Sequence, residues 1–498
     1  TTEPGSTPEA RGNLIAAAVL AHGATDGSNE ANDYANEHYE PVYPALVPTE
    51  PGNPLVLDPN RWQPLDLQTN VDQAGNPLPG GAIPFLSPEW GICTPFALHP
   101  ADLTIYGRDG GAYWVYHDPG PPPQLGGAGA QEYKEGFEQV LEWSAELDPT
   151  DGVQIDISPA ARGNNTLGTN DGSGHPVNPV TGQPYAAQFV PAGDYYRVLA
   201  EFWADGPESE TPPGHWFVIA NYVSDQPALV KRMRGTGAVL DPLEWDVKLY
   251  LALGGAVHDA AVTAWGIKGW YDYVRPISAL RYMGSLGQRS EPSAPDYDPD
   301  GIALVAGRVE RITSASSAPG ERHAQLAGLG GANLGKIAVR AWRGPDAILN
   351  TATDTAGVGW ILLERWWPYQ RPTFVTPPFA GYVSGHSTYS RAAATVLTQF
   401  TGSAFFPGGV GEFQAPRNAF LVFEQGPSVD VTLQWATYRD ASDQTSLSRI
   451  WGGIHPPADD IPGRIMGQVI GVDAFNLAEL HFRGRAKGVS TATVTGLY

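Results

Sequence analysis

Cysteine is almost absent from this 498-residue chain, in which Cys93 is the single thiol. One thiol cannot form a disulfide within the chain, and it excludes metal sites built from several thiolates. The sequence leaves two roles open for Cys93: a small buried side chain, or one half of a disulfide between two chains. Long apolar runs are also absent, because the run at residues 14–20 is much shorter than the roughly 20 residues that span a bilayer. The sequence therefore predicts no membrane span.

Positive charge is scarce as well, with 30 Lys and Arg against 53 Asp and Glu and a formal net charge of −23. A negative field repels the phosphate backbone of nucleic acids and anionic membrane surfaces. We therefore expect a soluble protein with no nucleic-acid partner. The start, rich in Thr, Pro and Glu, is compatible with a mature N-terminus after removal of a leader, and we expect a secreted or periplasmic location. A homo-oligomer is left open.

Two regions of different pattern follow one another along the chain. Residues from about Glu37 to Gln124 are dense in Pro and Gly without a sustained period. Residues 1–130 are therefore predicted to form a loop-rich region with few helices that packs on the core. Residues 131–498 show helical periodicity and are predicted to form the core with the functional site. Strand alternation is sparse, so the expected class is mainly α with long irregular loops. Helices are expected from Gln131 onward, at Tyr195–Trp203, from Asp241 toward Val274, and at 321–342, 387–400 and 464–480.

The clearest helix start is at Asp241. A carboxylate there can cap the helix, Pro242 occupies the first helical position and Glu244 the third. The helix is expected to loosen at Gly254–Gly255 and to stop before Pro276, which cannot continue the hydrogen-bond ladder.

Three short segments concentrate groups that suit one anion, and the first runs from Lys268 to Arg275, followed by Pro276. Seven residues make almost two helical turns, so both cations lie on one face, roughly 10 Å apart along the axis. Their long side chains can converge on a ligand between them. Taken alone, each cation is more typical of a solvated or ion-paired surface residue.

The second segment, Tyr382–Thr388, lies where a loop enters a helix. Backbone N–H groups and the positive end of the helix dipole favour an anion there, and Gly385 lets the backbone approach closely. Ser384 adds a hydroxyl donor, and His386 adds an imidazole that titrates near neutrality. The alternative is an ordinary serine N-cap beside a histidine that only packs.

The third segment is Ser448–His455. Continuous helix would place Arg449 and His455 on different faces, but Gly452–Gly453 can end the helix and turn the imidazole back. Both side chains could then reach one site. A structural histidine after a glycine pair is the alternative.

Taken in order, the patterns Lys-x6-Arg-Pro, Ser-Gly-His and Ser-Arg-x5-His resemble the vanadium haloperoxidase and type 2 phosphatidic acid phosphatase superfamily. All three match without an inserted or missing residue, and the resemblance covers about Tyr195 to Gly471. It implies a vanadium haloperoxidase-like fold of helical bundles, with two four-helix bundles. It also implies a pocket for vanadate or phosphate.

The resemblance further implies a role for each matching residue. His455 would bond to vanadium through a ring nitrogen, and His386 would exchange protons with bound peroxide. Lys268 would polarise a peroxo oxygen. The vanadate oxygens would be held by charge-assisted hydrogen bonds from Lys268, Arg275, Ser384, the Gly385 backbone N–H and Arg449.

Residues outside the anion pocket favour a haloperoxidase over a phosphatase. The segment Phe-Trp-Ala-Asp-Gly at 202–206 resembles the one in fungal chloroperoxidases whose aspartate orients the acid–base histidine, which implies that role for Asp205. Trp265 and Phe379 match the aromatic residues of their halide pocket, where an apolar wall helps to remove water from a halide.

We therefore predict a vanadate-dependent haloperoxidase that uses hydrogen peroxide to oxidise halide ions to hypohalous acid or an equivalent. Bromide is the expected halide, with chloride as a further one, and small organic acceptors would be halogenated. Two alternatives stand beside this prediction. One is an acid phosphatase of the same superfamily with a phosphohistidine at His455, and the other is a non-enzymatic oxyanion-binding protein.

A separate acidic turn resembles the front half of a calcium-binding loop. Asp296, Asp298 and Asp300 alternate and are followed by Gly301. Gly307 stands at the twelfth position, where such a loop has a bidentate glutamate. The sequence thus offers calcium at this turn as one prediction and a solvated acidic turn as the other.

Overall fold

The computed structural model describes residues 7–54, 56–72, 74–108, 110–206 and 209–486. Helices form the larger part of its regular structure, as the sequence predicts. In chain order the α-helices are α1 (Pro8–Gly23), α2 (Ala130–Ser144), α3 (Ala192–Phe202), α4 (Pro212–Asp225), α5 (Pro242–Tyr271), α6 (Pro276–Leu286), α7 (Gly385–Thr401), α8 (Tyr438–Trp451) and α9 (Pro457–Phe482).

The strands are short and lie around the helices. In chain order they are β1 (Asp66–Leu67), β2 (Asn70–Val71), β3 (Pro77–Leu78), β4 (Gly81–Ala82), β5 (Leu103–Arg108), β6 (Gly111–Tyr116), β7 (Gln154–Asp156), β8 (Phe189–Pro191), β9 (Val309–Arg311), β10 (Ile337–Trp342), β11 (Val358–Leu362), β12 (Gly411–Ala415) and β13 (Val431–Trp435). All pairings between these strands are antiparallel, and the largest sheet has the order β11-β10-β9. The mainly α class is therefore confirmed.

Helix α5 begins where the sequence predicts, because the Asp241 side chain accepts a hydrogen bond from the Leu243 backbone N–H at 3.0 Å. It continues without a break through Gly254–Gly255, so the expected loosening there was wrong. Gly255 is needed for packing: a Cβ at this position would lie 2.2 Å from the Phe96 ring. The helix ends at Tyr271, before Val274, because Asp272 takes a left-handed conformation with φ of 47°.

Helix α7 lies at the centre of the core and packs against α5, α8 and α9. Its contact with α9 is unusually close. A Cβ at Gly467 would lie 2.2 Å from the Thr388 carbonyl oxygen, and one at Gly471 would lie 2.5 Å from the Ala392 carbonyl oxygen. Glycines on α9 thus let two backbones meet, which brings the first turns of both helices to the same end of the bundle.

The expected helix over 321–342 was wrong. Turns occupy its first half, and its last residues form β10, which pairs with β9 and β11. Glycines at 328, 330, 331 and 335 all have positive φ, which a right-handed helix does not allow. The apolar residues after them form the central strand β10, which is buried on both faces. A short run of apolar residues of this kind also occurs in buried helices, so the sequence pattern did not separate the two.

The other expected helices are present as α2, α3, α7 and α9, although α9 begins at Pro457, seven residues before the expected start at Arg464. Cys93 is a free buried thiol, in line with the first of its two predicted roles. Among the described helices, none has the length and apolar character to cross a bilayer. The division of the chain at residue 130 stays a prediction. Residues 1–6 of the first predicted region and residues 487–498 of the second lie outside the described residues.

Candidate active site

The end of α5 and the turn that follows it place two cations in the protein interior. The exposed fraction is 0% for Lys268 and 1% for Arg275. Lys268 Nζ donates to the carbonyl oxygens of Ala380 at 2.7 Å and Gly381 at 2.8 Å. Arg275 Nε donates to the carbonyl oxygen of Phe379 at 3.0 Å. The loop that leads into α7 therefore holds both cations, which brings the first two predicted segments together.

The second segment forms the start of α7, as predicted. Ser384 is the N-cap, and its Oγ accepts a hydrogen bond from the Ser387 backbone N–H at 3.3 Å. Gly385 is the first helical residue, and a Cβ there would lie 3.3 Å from the Trp265 ring. Gly385 and His386 both line a large cavity. The positive end of the α7 dipole is thus directed at the region where the cations lie.

The third segment turns back through its glycine pair. Helix α8 ends at Trp451 with Gly452 as its C-cap, and Gly453 has φ of 75°, which glycine adopts without strain. Arg449 Nη1 donates to the Trp203 carbonyl oxygen at 3.1 Å. His455 follows the turn and is 3% exposed. The turn therefore brings the imidazole toward the cations, as the glycine pair predicts.

Hydrogen bonds on both sides fix the tautomer of His455. Its Nδ1–H donates to Asp459 Oδ2 at 2.7 Å, and its Nε2 accepts from Arg275 Nη1 at 2.9 Å. The lone pair of Nε2 therefore faces the cationic side. Asp459 also accepts a hydrogen bond from the Ser384 backbone N–H through its carbonyl oxygen, at 2.8 Å. Gly381 permits this arrangement, because a Cβ there would lie 2.7 Å from Asp459 Oδ2.

Sequence reasoning missed Asp459. The signal was available, since a carboxylate four residues after a histidine at a helix start lies on the same face one turn later. The pair acts as a unit: the carboxylate orients the imidazole and makes Nε2 a better electron-pair donor.

The electrostatics of this site show an excess of positive charge. Burial, and then the charge of Arg275, hold the pKa of Lys268 well below its usual value. Burial lowers the pKa of Arg275 to about 9, and the Arg449 charge acts in the same direction. Burial also lowers the pKa of His455, as do Arg275, Lys268 and Arg449 in that order. All three cations are therefore within electrostatic reach of one imidazole.

Too few groups of the protein compensate this charge. Burial raises the pKa of Asp459 to about 8, although Lys268 and Arg275 oppose the shift. Among the described residues, Arg275 Nη2 and Arg449 Nε are buried without a hydrogen-bond partner. Buried N–H groups of charged side chains are costly to leave unpaired. The arrangement suits an anion with several oxygen atoms.

A second histidine lies beside an aspartate, as the sequence predicts. Asp205 is buried, and its Oδ2 lies 3.5 Å from His386 Nε2. Burial and then the Arg449 charge lower the pKa of His386 to about 3, against the opposing effect of Asp205. The imidazole is therefore neutral in the anion-free site and can accept a proton.

The other oxygen of Asp205 engages His215, which sequence reasoning missed. His215 Nδ1 and Asp205 Oδ1 are 2.6 Å apart. The His215 ring lies between Phe202 and Trp203, with ring centroids 4.8 Å and 4.7 Å away. Its place in the first turn of α4, two residues after a proline pair, gave no chemical signal. Asp205 thus bridges two imidazoles.

Aromatic residues form the apolar wall of the site. The ring centroids of Trp265 and Phe379 are 4.8 Å apart, and Lys268 Nζ lies 5.2 Å from the Phe379 centroid. Both rings line a cavity of about 1090 Å³ that also reaches His386 and His455. The pocket is therefore cationic on one side and apolar on the other.

Comparison with known proteins identifies this part of the chain. Residues 248–484 match a family model described as the VCPO second helical-bundle domain. These residues form a VCPO second helical-bundle domain. The resemblance to vanadium-dependent haloperoxidases that the sequence shows is thus confirmed. No curated protein was found to match the chain in sequence.

The fold beyond the VCPO domain is shared with solved structures. The apo-type bacterial vanadium-dependent chloroperoxidase aligns with a TM-score of 0.58 and 18% identity, over 96% of this chain and 75% of that chain. The holo-type structure of a bacterial vanadium-dependent chloroperoxidase gives 0.56 and 18%, over 96% and 74%. These similarities establish the fold of the described part of the chain.

All predicted site residues except Asp205 lie within the VCPO domain. The structure brings together the residues predicted around the anion and the halide, and it adds Asp459 and His215 to them. The chemical roles assigned to these residues stay predictions. They are Lys268, Arg275, Ser384, Gly385, His386, Arg449, His455, Asp205, Trp265 and Phe379.

The acidic turn with the predicted calcium ligands lies apart from this set. Asp296 Oδ2 accepts from Arg311 Nε at 2.7 Å, and Asp298 Oδ1 accepts from the Asp300 backbone N–H at 2.8 Å. In the part of the chain that the structure describes, no group of three or more His, Cys, Asp or Glu could hold a metal ion. Calcium at this turn stays a prediction that these contacts do not favour.

Proposed function

We propose that this chain is a vanadate-dependent haloperoxidase that uses hydrogen peroxide to oxidise bromide, with chloride as a further substrate. The observation that supports this most is the buried cationic pocket. It combines three cations, two arginine N–H groups that lack a partner among the described residues, and an imidazole whose Nε2 faces them. The vanadium dependence of the structurally similar chloroperoxidases agrees with this proposal.

Vanadate fits the pocket in charge and in donor type. Arg275 Nη2 and Arg449 Nε, which lack a partner among the described residues, and the remaining N–H of Lys268 would donate to its oxygen atoms. Ser384 and the Gly385 backbone N–H would donate as well. His455 Nε2 would offer its lone pair to the metal in exchange for the hydrogen bond that it accepts from Arg275 Nη1. When bound, vanadate supplies a Lewis-acidic vanadium(V) centre that makes hydrogen peroxide electrophilic toward a halide without a change in the metal's oxidation state.

The chain's own residues then do three things. Lys268, Arg275 and Arg449 stabilise negative charge on oxygen in a site from which water is largely excluded. Asp205 favours the proton on His386 Nε2, which leaves Nδ1 to accept a proton from peroxide and return it later. Trp265 and Phe379 provide the apolar surface on which a halide loses water.

The decisive test uses vanadate-free protein that is reloaded with vanadate. Wild type should brominate a dye when peroxide and bromide are added, and His455→Ala should lose both stable vanadate and activity. His386→Ala should keep vanadate and lose about 10²- to 10⁴-fold in turnover, the usual contribution of a positioned acid–base group. His22→Ala, a change on the exposed surface of α1, is the matched control. Unchanged bromination in both site variants would reject the proposal.

The same preparation separates the two other candidates. Phosphate shares the charge and shape of vanadate, so an acid phosphatase would hydrolyse a phosphomonoester without vanadate and would fail in bromination. An oxyanion-binding protein would bind vanadate and turn over neither substrate. Chloride and bromide rates measured in parallel decide the halide.

A further inference from the structure

The cavity beside the cationic pocket is larger than the proposed reaction needs. Its volume is about 1090 Å³. Sites for organic ligands commonly occupy roughly 300–1,000 Å³, whereas a halide and a peroxide need only a small part of that. The excess space therefore calls for a further occupant.

The lining of the cavity favours an aromatic occupant. Besides the halide-pocket rings, ten aromatic side chains contribute to it, among them Phe202, Phe374, Phe413, Phe420, Phe423 and Trp435. Aromatic rings prefer offset or edge-to-face contact with other rings, so such a wall binds planar ring systems well. His386 and His455 line the same cavity, so a ring bound in it would have access to the reacting centre.

Arg371 contributes a cation to the lining of the cavity. The Arg371 side chain makes no hydrogen bond and no ion pair within the described ranges of the chain. Its guanidinium carbon lies 6.0 Å from the Phe423 ring centroid, and Nη2 lies 3.6 Å from where a Cβ at Gly206 would stand. Burial lowers the pKa of this guanidinium. A half-buried cation of this kind is poorly solvated and gains from an anionic ligand.

The carboxylates around the cavity do not neutralise Arg371. Glu201 acts on it electrostatically, but its own oxygens accept from the Tyr369 hydroxyl at 2.8 Å and the Val422 backbone N–H at 2.7 Å. Glu210 and Glu412 also line the cavity and are exposed to solvent. An acid that reaches the aromatic wall would therefore find the Arg371 guanidinium available there, at a position separate from the cationic pocket to which Arg449, the other arginine of the lining, belongs.

We propose that the cavity binds an aromatic carboxylic acid, with its ring on the aromatic wall and its carboxylate on Arg371, and that this ring is halogenated in place. The inference rests on the proposed haloperoxidase function. A carbon–halogen bond forms, the ring C–H bond breaks, its electron pair returns to the ring, and the proton leaves to water. The sum is H₂O₂ + X⁻ + H⁺ + ArH → ArX + 2 H₂O, in which peroxide is the oxidant and halide is oxidised.

Binding can be tested without turnover. The probes are 6-hydroxy-2-naphthoate and the neutral 6-hydroxy-2-naphthamide, titrated calorimetrically into the full-length protein. Wild type should bind the acid at least about tenfold more tightly, as expected for a charge-assisted contact. Arg371→Gln should bind both probes equally, and Arg371→Lys should restore part of the preference. Arg340→Gln, on the exposed face of β10, is the matched control and should behave as wild type.

The outcomes distinguish this inference from the function on which it rests. Equal binding of acid and amide by wild type, or a preference retained in Arg371→Gln, overturns the acid site. Vanadate-loaded wild type that oxidises iodide forms triiodide without any organic acceptor, so this assay tests the proposed haloperoxidase function by itself. If no triiodide forms, the halogenation step is overturned. A preference of wild type for the acid over the amide would still support the acid-binding site. Bromination of the acid faster than of the amide, lost in Arg371→Gln with unchanged thermal unfolding, supports both.

Discussion

Asp459→Asn should weaken vanadate binding without unfolding the protein. Asp459 Oδ2 accepts from His455 Nδ1–H at 2.7 Å, and both groups are buried. The titrations are made above pH 8, where Asp459 carries its negative charge although burial raises its pKa to about 8. An asparagine then keeps the size and an acceptor oxygen but removes that charge. Hydrogen bonds to charged groups contribute about 1.5–3 kcal/mol, and about 1.4 kcal/mol corresponds to a factor of ten. The dissociation constant should thus rise about 10-fold, and about 100-fold in Asp459→Ala, where no acceptor remains.

The assay is a vanadate titration of vanadate-free protein, followed by calorimetry and by recovery of bromide oxidation. Asp473→Asn is the matched control, because Asp473 lies on the exposed side of the same helix. Thermal unfolding of each variant shows whether the fold is kept. Vanadate affinity in Asp459→Asn within twofold of wild type would refute the claim that this carboxylate makes Nε2 of His455 a better ligand.

Three further changes probe the surroundings. His215→Ala should lower turnover and shift its pH profile while vanadate affinity stays constant, since His215 contacts Asp205, which lies beside His386. Steady-state kinetics over a range of pH check this, and unchanged values would be the contrary result. Gly467→Ala should lower the free energy of unfolding by about 1–3 kcal/mol, because its Cβ would lie 2.2 Å from a carbonyl oxygen of α7. Gly254→Ala, where a Cβ has room, should not destabilise the protein. Thermal unfolding of both variants tests this difference. Burial raises the pKa of Asp272 to about 6, so the folded protein keeps a proton that the unfolded chain releases near pH 4. Stability should therefore fall as pH rises between these values, and denaturant unfolding should show that Asp272→Asn lacks this part of the slope.

Local signals in the sequence were enough to predict the helices around the site. Asp241 caps α5 with the side-chain bond that its position suggests, and Gly452–Gly453 ends α8 as expected. Such features depend on a few adjacent residues. The error at 321–342 has a different origin, because apolar spacing alone does not separate a buried strand from a helix, and the glycines with positive φ were the better guide.

Contacts between distant segments were beyond the sequence. Lys268 is held by two carbonyl oxygens more than a hundred positions away, and no pattern in the chain announces them. His215 and Arg371 gain their environment from the packing of aromatic side chains contributed by several segments. The resemblance supplied the predicted set of anion ligands, whereas groups that complement them without a sequence signal, such as His215, needed coordinates.

The central claim is that distant segments enclose one oxyanion whose metal bonds to His455. A crystal structure of the vanadate-loaded protein tests it most directly. We expect vanadium at bonding distance from His455 Nε2, with its oxygens accepting from Arg275 Nη2 and Arg449 Nε. Vanadate bound elsewhere, or held in this pocket without a bond to His455, would contradict the account.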